Sequence, residues 1–170
     1  DDYLDTNKFG TDYNHAEIRE NDNTLYEAKV PLILSDTNFQ RNYLLKTVDK
    51  TQIASETATL QYGLDLESRE GVIPAGTVIT DSLPEGVTFS KTVQNSDYSD
   101  ATFDKSTRTV SYVLKHDLNS GQHAKVVFDV QLVGDDSVDK VVNKASYTYA
   151  GSTIFSNDVT TFIDSALLHK

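Results

Sequence analysis

Val141-Val142-Asn143-Lys144-Ala145-Ser146-Tyr147 is the stretch on which the fold class turns. It overlaps Asp135–Lys144, where a helix is the competing assignment, yet it alternates with a period of two, the period of a strand. Working outward, the same texture recurs. From Thr24 on, short runs rich in Val, Ile, Thr, Tyr and Phe are broken about every ten residues by Gly, Asn, Asp and Ser clusters. They include Leu25–Leu34, Tyr43–Val48, Thr57–Leu66, Val72–Asp81, Thr109–Leu114, Ala124–Val133, Val138–Tyr149 and Thr153–Ile163. Such spacing predicts an all-β chain folded as an antiparallel sandwich, with at most one or two short helical turns. Gly63, inside one run, is expected to mark a bulge.

The 170 residues suffice for one sizeable domain, or for one domain with part of a neighbour. With 15 Lys and Arg against 26 Asp and Glu, the formal charge of −11 opposes nucleic acid phosphates and anionic lipid heads as main partners. No apolar run approaches the roughly 20 residues of a bilayer crossing, so membrane insertion is not expected. The stretch opens Asp1-Asp2-Tyr3, and neither a leader nor a sortase-type sorting signal is expected within it. The absence of cysteine removes disulfides, thiolate zinc sites, iron–sulfur clusters and thiol nucleophiles together. Endurance outside a cell would then rest on packing, metal ions or another covalent link. There is no Asn-x-Ser/Thr sequon.

Shifting the chain on itself by 129 residues (143 − 14 = 129) sets Asn14, Ala16, Thr24 and Val30 on Asn143, Ala145, Thr153 and Val159 without a gap. Ile18, Leu25 and Tyr26 then fall on Tyr147, Ile154 and Phe155. A repeat of this kind makes residues 1–40 the terminal strands of a preceding unit or a linker, residues 41–164 a complete unit, and residues 165–170 the start of the next linker or strand.

Three segments of the complete unit carry a family resemblance. Leu44-Leu45-Lys46-Thr47-Val48-Asp49-Lys50, Val78-Ile79-Thr80-Asp81-Ser82-Leu83-Pro84-Glu85-Gly86-Val87-Thr88-Phe89 and Val141–Tyr147 resemble, in order and spacing, segments of the immunoglobulin-like, isopeptide-forming stalk domains of Gram-positive pilins and cell-wall-anchored surface adhesins. The resemblance covers roughly residues 41–163, and it implies an immunoglobulin-like sandwich. Carried over residue by residue, it implies a Lys46–Asn143 isopeptide bond whose formation Asp81 assists, with Lys50 as the reserve lysine. Asn14 becomes the repeat-equivalent acceptor, expected unreacted because its own lysine would lie upstream. The implied function is a structural stalk or spacer repeat, secreted, displayed on the cell surface and anchored to the wall through regions outside this stretch. Its implied partners are adjacent repeats of the same polypeptide, with host ligands bound through other domains.

The chemistry of these positions can be judged from parity alone. Leu44, Lys46 and Val48 share a strand face, as do Ile79, Asp81 and Leu83, and Val141, Asn143, Ala145 and Tyr147. Each polar group thus sits on an apolar stripe, where burial drives lysine toward its neutral amine and aspartate toward its neutral acid. An amine is a nucleophile, and a protonated carboxyl can polarise the Asn143 amide carbonyl and move a proton as ammonia leaves. Such a single-turnover step within one chain is not enzyme turnover. Each residue also has a plainer assignment: Lys46 as a solvated edge lysine, Asp81 as a turn-initiating aspartate. Asn143 resists one, since Asn is depleted in strands.

Other site chemistry finds little footing. His15, His116, His123 and His169 lack metal-ligand spacing and are expected in surface loops. Glu20-Asn21-Asp22-Asn23 and Asp135-Asp136 offer oxygen ligands of the kind Ca²⁺ takes, but match no EF-hand loop and read as solvated turns, so no cofactor is expected. No nucleophile elbow or phosphate loop occurs. Asn95–Asp104 reads as an exposed loop, and with it stands the alternative function: an adhesive module that binds a host protein or glycan directly.

Overall fold

The computed structural model describes residues 11–20, 23–33, 42–54, 58–133 and 138–164, and its chain divides into two units, Asp1–Gln40 and Arg41–Lys170. In the first, β1 (Thr11–Glu20) and β2 (Asn23–Ile33) form an antiparallel hairpin. The second contains β3 (Asn42–Val48), β4 (Gln52–Ile53), β5 (Thr59–Ser68), β6 (Val72–Ile73), β7 (Val78–Ser82), β8 (Val87–Asn95), β9 (Thr102–Asp104) and β10 (Thr109–Val113). It continues with β11 (Leu118–Asn119), β12 (His123–Leu132), β13 (Lys140–Asn143), β14 (Ala145–Tyr149), β15 (Ser152–Phe155) and β16 (Val159–Ile163). There is no helix among the described residues.

Alternation in the sequence becomes alternation in burial. In β5 every second residue from Leu60 to Ser68 is buried, and in β12 the same holds from Ala124 to Leu132. These strands lie in an antiparallel sheet of order β3-β5-β12-β8, and a second antiparallel sheet has the order β15-β14-β7-β10-β9. The apolar rows of the two face each other, which makes the unit a β-sandwich. Leu64, Val126 and Phe128 of one sheet and Ile79, Val110 and Tyr112 of the other all belong to the buried core. Across the interface the Tyr112 and Phe128 rings lie 5.9 Å apart. Burying each large apolar side chain contributes roughly 1.5–3 kcal/mol, so this dry seam drives the fold.

The sandwich departs from the sequence expectations in specific places. Val72–Asp81, expected as one strand, is divided at Pro74-Ala75-Gly76: Pro74 has no N–H for a ladder, and Gly76 takes a φ of 88°. Val138–Tyr149 and Thr153–Ile163 also divide, at Lys144 and at Ser156-Asn157-Asp158. Their outer halves, β13 and β16, leave the main sheet to pair with each other, and β4 adds parallel to β16. Gly63 marks no bulge. It pairs in regular register with Thr47 and Val127, and a Cβ there would stand 2.5 Å from Thr47 Oγ1, so a larger residue would have to turn the Thr47 side chain aside. The register shifts lie instead in the pairing of β12 with β8, at Val127/Phe128 and Asp129/Val130.

Asn95–Asp104 is likewise not a free loop. Tyr98 is buried and its hydroxyl donates to the Ala124 carbonyl at 3.1 Å, while Asn95 Oδ1 accepts the Tyr98 N–H at 2.9 Å. The segment is a plug tied to the core, and its last residues form β9.

The 129-residue offset read from the sequence can be set beside the strand pairing. Thr11, Asp12, Tyr13 and Asn14 of β1 face Ile33, Leu32, Pro31 and Val30 of β2. Adding 129 to each number gives the pairs that join Lys140, Val141, Val142 and Asn143 to Phe162, Thr161, Thr160 and Val159. Beyond a one-residue register shift at Ile18/Arg19, the pairs Arg19–Thr24 and Glu20–Asn23 map onto Thr148–Thr153 and Tyr149–Ser152 in the same way. Between these ends the registers differ by one residue: Glu17 and Ile18 face Glu27 and Tyr26, whereas Ser146 and Tyr147 face Phe155 and Ile154.

Candidate cross-linking site

Lys46, Asp81 and Asn143 come from three different strands and meet inside the second unit. Lys46 lies on β3, an edge strand, but its parity with Leu44 turns the side chain inward. Asp81 lies on β7 in the facing sheet, directly opposite Ala145 of β14. Asn143 precedes Ala145 by two residues, on the same inward row, at the point where the chain passes from one sheet to the other. The three residues are 1%, 1% and 3% exposed, in that order.

The two oxygens of one carboxylate hold the other two groups. Lys46 Nζ donates to Asp81 Oδ2, and Asn143 Nδ2 donates to Asp81 Oδ1 at 2.8 Å. Aromatic faces complete the surroundings: Lys46 Nζ stands 4.0 Å from the ring centroid of Tyr62 and 5.4 Å from that of Phe128. Burial pushes the Lys46 amine below its ordinary value, against the opposing charge and hydrogen bond of Asp81. Burial, together with the charge of Asp81, pushes the Tyr62 phenol well above its own, with the Asn143 side chain acting the other way. Tyr62 is thus a neutral wall. A surface cavity of about 320 Å³, bordered by Thr80, Val142, Lys144 and Phe155, reaches Asn143 from the outside.

One detail differs from the sequence expectation. There the acid donates to the amide oxygen, whereas here the amide nitrogen donates to Asp81. An ionised carboxylate only accepts hydrogen bonds, so it draws the NH₂ side of the amide.

Lys50 is not brought to the site. The strand ends at Val48, parity is lost in the bend that follows, and the Lys50 ammonium instead bonds Asp49 Oδ2 and the Thr59 carbonyl, each at 2.8 Å. Asn14 lies in β1, opposite Val30, in the other unit. His116 is exposed and hydrogen-bonds the Asp117 carbonyl at 3.1 Å and Asp97 at 3.2 Å, which together hold its ring above the usual imidazole range. His123 opens β12, not a loop, with Nδ1 2.9 Å from Asp65. His169 and Asp135-Asp136 lie outside the described residues, and no metal-ligand cluster occurs among those described.

Sequence reasoning missed Asn157. Its Oδ1 accepts the Lys46 N–H and its Nδ2 donates to the Lys46 carbonyl, both at 2.9 Å. Its only signal in the sequence is a polar break, Ser156-Asn157-Asp158, inside an otherwise apolar run.

The low proton affinity of Lys46 has a measurable consequence. In Asn143→Ala the lysine must remain an amine, and its folded pKa lies below the ordinary 10.5 of the unfolded chain. Between those two values the unfolded state binds more protons, so stability rises with pH across that window. Urea titrations of Asn143→Ala should therefore gain on those of Asn143→Ala carrying Lys46→Met and Asp81→Asn as pH climbs from about 7 toward 10. A difference that stays flat would show that the buried amine is not destabilised as an ammonium.

No family model matches this chain, and no curated relative matches it. Solved structures do. The full-length major pilin SpaD of Corynebacterium diphtheriae aligns at 16% identity and a TM-score of 0.55, over 71% of this chain and 34% of that one. The N-terminal domain of the Streptococcus gordonii adhesin Sgo0707 aligns at 16% identity and 0.57, over 74% and 33%. Domains D2 and D3 of SpaD align at 16% and 0.53, over 70% and 52%. The chain thus spans about a third to a half of these structures. Its β-sandwich is a fold that it shares with domains of these pilins and adhesins.

Proposed function

We propose that residues 41–164 are a stalk or spacer repeat of a Gram-positive surface adhesin or pilus-like fibre, made durable by an isopeptide bond that the folded unit forms between its own Lys46 and Asn143. One observation carries this reading: an amine, a carboxylate and a carboxamide, all buried, joined through the carboxylate across the seam of the sandwich. Replacing a buried ion pair by apolar residues is often neutral or stabilising, so stability alone does not account for one here. A buried amine whose proton affinity burial lowers, held against a carboxylate and a carboxamide, points to chemistry.

The step balances within the chain. Lys46 passes a proton to Asp81, and the freed lone pair of Nζ attacks Cγ of Asn143 while the Asp81 O–H polarises the amide oxygen. The Nζ–Cγ bond forms and the Cγ–Nδ2 bond breaks. A second proton from Nζ reaches Nδ2 by way of Asp81, ammonia departs through the cavity beside Asn143, and Asp81 is left protonated as it began the attack. Holding amine and amide on fixed strands removes most of the entropic cost of their encounter. The reaction occurs once per molecule and asks for no cofactor.

The bond would tie β3, the first strand of the unit, to β13 near its end. Tension entering along one and leaving along the other would bypass most of the core. Neighbouring repeats of the same polypeptide are then the natural partners, in a wall-anchored extracellular setting. The test is the intact mass of the denatured chain beside that of Lys46→Ala. Wild type is expected to be lighter than calculated by one ammonia, and the variant to match its calculated mass. A wild-type chain at full mass would remove the bond.

A further inference from the structure

We infer that Ser156-Asn157 is a positioning clamp for the cross-linking step, an inference that rests on the function proposed above. The dipeptide grips both reacting strands by their backbones. Asn157 closes a two-point hydrogen-bonded ring on Lys46, as acceptor from its N–H and donor to its carbonyl. Ser156 does the same for Ala145, two residues beyond Asn143: its N–H donates to the Ala145 carbonyl at 2.8 Å, and its Oγ accepts the Ala145 N–H at 2.9 Å. Two adjacent residues therefore fix the distance between the backbone that carries the amine and the backbone that carries the amide.

The need for such a clamp follows from where Lys46 sits. Because β3 is an edge strand, its outward N–H and C=O groups lack a neighbouring strand, and a slip of one residue against β5 would turn Lys46 out to solvent. Asn157 supplies, from one side chain, the donor and acceptor that a further strand would have offered. Its own side chain lies at the exposed edge and fills no core space. Truncating it thus opens no cavity, which separates positioning from packing. The residues 129 positions earlier are Glu27 and Ala28, so the sequence there does not repeat the clamp.

The experiment follows the loss of ammonia by intact mass during timed cell-free synthesis of the full chain. Asn157→Ala is expected to slow the step by about tenfold or more, the scale of a small misplacement of reacting groups. Asn157→Asp keeps the acceptor for the Lys46 N–H but not the donor, and should fall between that variant and wild type. Urea unfolding in an Asn143→Ala background, with and without Asn157→Ala, reads the structural cost separately, and both chains should be fully folded under the assay conditions. A wild-type rate in Asn157→Ala, or a slowing that only follows a loss of folded protein, overturns the clamp while leaving the bond in place. Full mass in the wild-type chain at all times overturns both the clamp and the proposed function.

Discussion

Asp81→Ala is expected to yield a chain at its full calculated mass and less stable than Asn143→Ala, which itself lacks the bond. Loss of the bond alone should cost about 4 to 5 kcal/mol, by analogy with a disulfide closing a loop of 97 residues (143 − 46 = 97). Asn143→Ala adds only the loss of its own hydrogen bond to Asp81, because the buried Lys46–Asp81 pair survives. Asp81→Ala goes further and leaves an ammonium facing only the rings of Tyr62 and Phe128. Removing one partner of a buried pair costs about 3 to 5 kcal/mol, and the lysine recovers part of this by shedding its proton. Asp81→Asn, which keeps the shape without the acid, should also stay at full mass. Intact mass and urea unfolding of the three variants decide the matter. Ammonia loss in Asp81→Ala would show that the carboxyl is dispensable, and equal stability of Asp81→Ala and Asn143→Ala would show that the pair contributes nothing.

Phe128→Ala should damage fold and chemistry together. The side chain is fully buried on β12, 5.9 Å from the rings of both Tyr62 and Tyr112 and 6.1 Å from that of Phe89. Truncating a core phenylalanine costs about 3 to 5 kcal/mol, and rings held on three different strands close poorly over the space left behind. The same space adjoins Lys46. Water entering it would solvate the ammonium and withdraw the neutral amine on which attack depends. In an Asn143→Ala background the unfolding free energy should drop by the stated amount, and in the reactive chain ammonia loss should slow. Phe128→Leu, which keeps an apolar wall, should retain most of the rate. A wild-type rate in Phe128→Ala would show that the wall plays no part in the chemistry.

The candidate site was partly legible because parity is a local property. Lys46 lies in the row of Leu44, Asp81 in the row of Ile79 and Asn143 in the row of Val141, so each was placed on an apolar stripe before any tertiary contact was known. Asn157 was not legible, since its partner is 111 residues away and its neighbours read as a turn. Lys50 shares parity with Lys46 in the sequence and loses it only because the strand stops at Val48. Gly63 looked like a bulge because a strand glycine has several uses, and only the approach of Thr47 selects among them.

What the sequence determined by itself was the all-β class and the inward rows, because alternation and turn chemistry act over a few neighbouring residues. Only the tertiary structure decided where strands break, which lysine faces Asp81, and that Ser156-Asn157 holds both backbones. Those outcomes depend on which sheet each half-strand joins, and a sheet is built by hydrogen bonds between segments that are far apart in the chain.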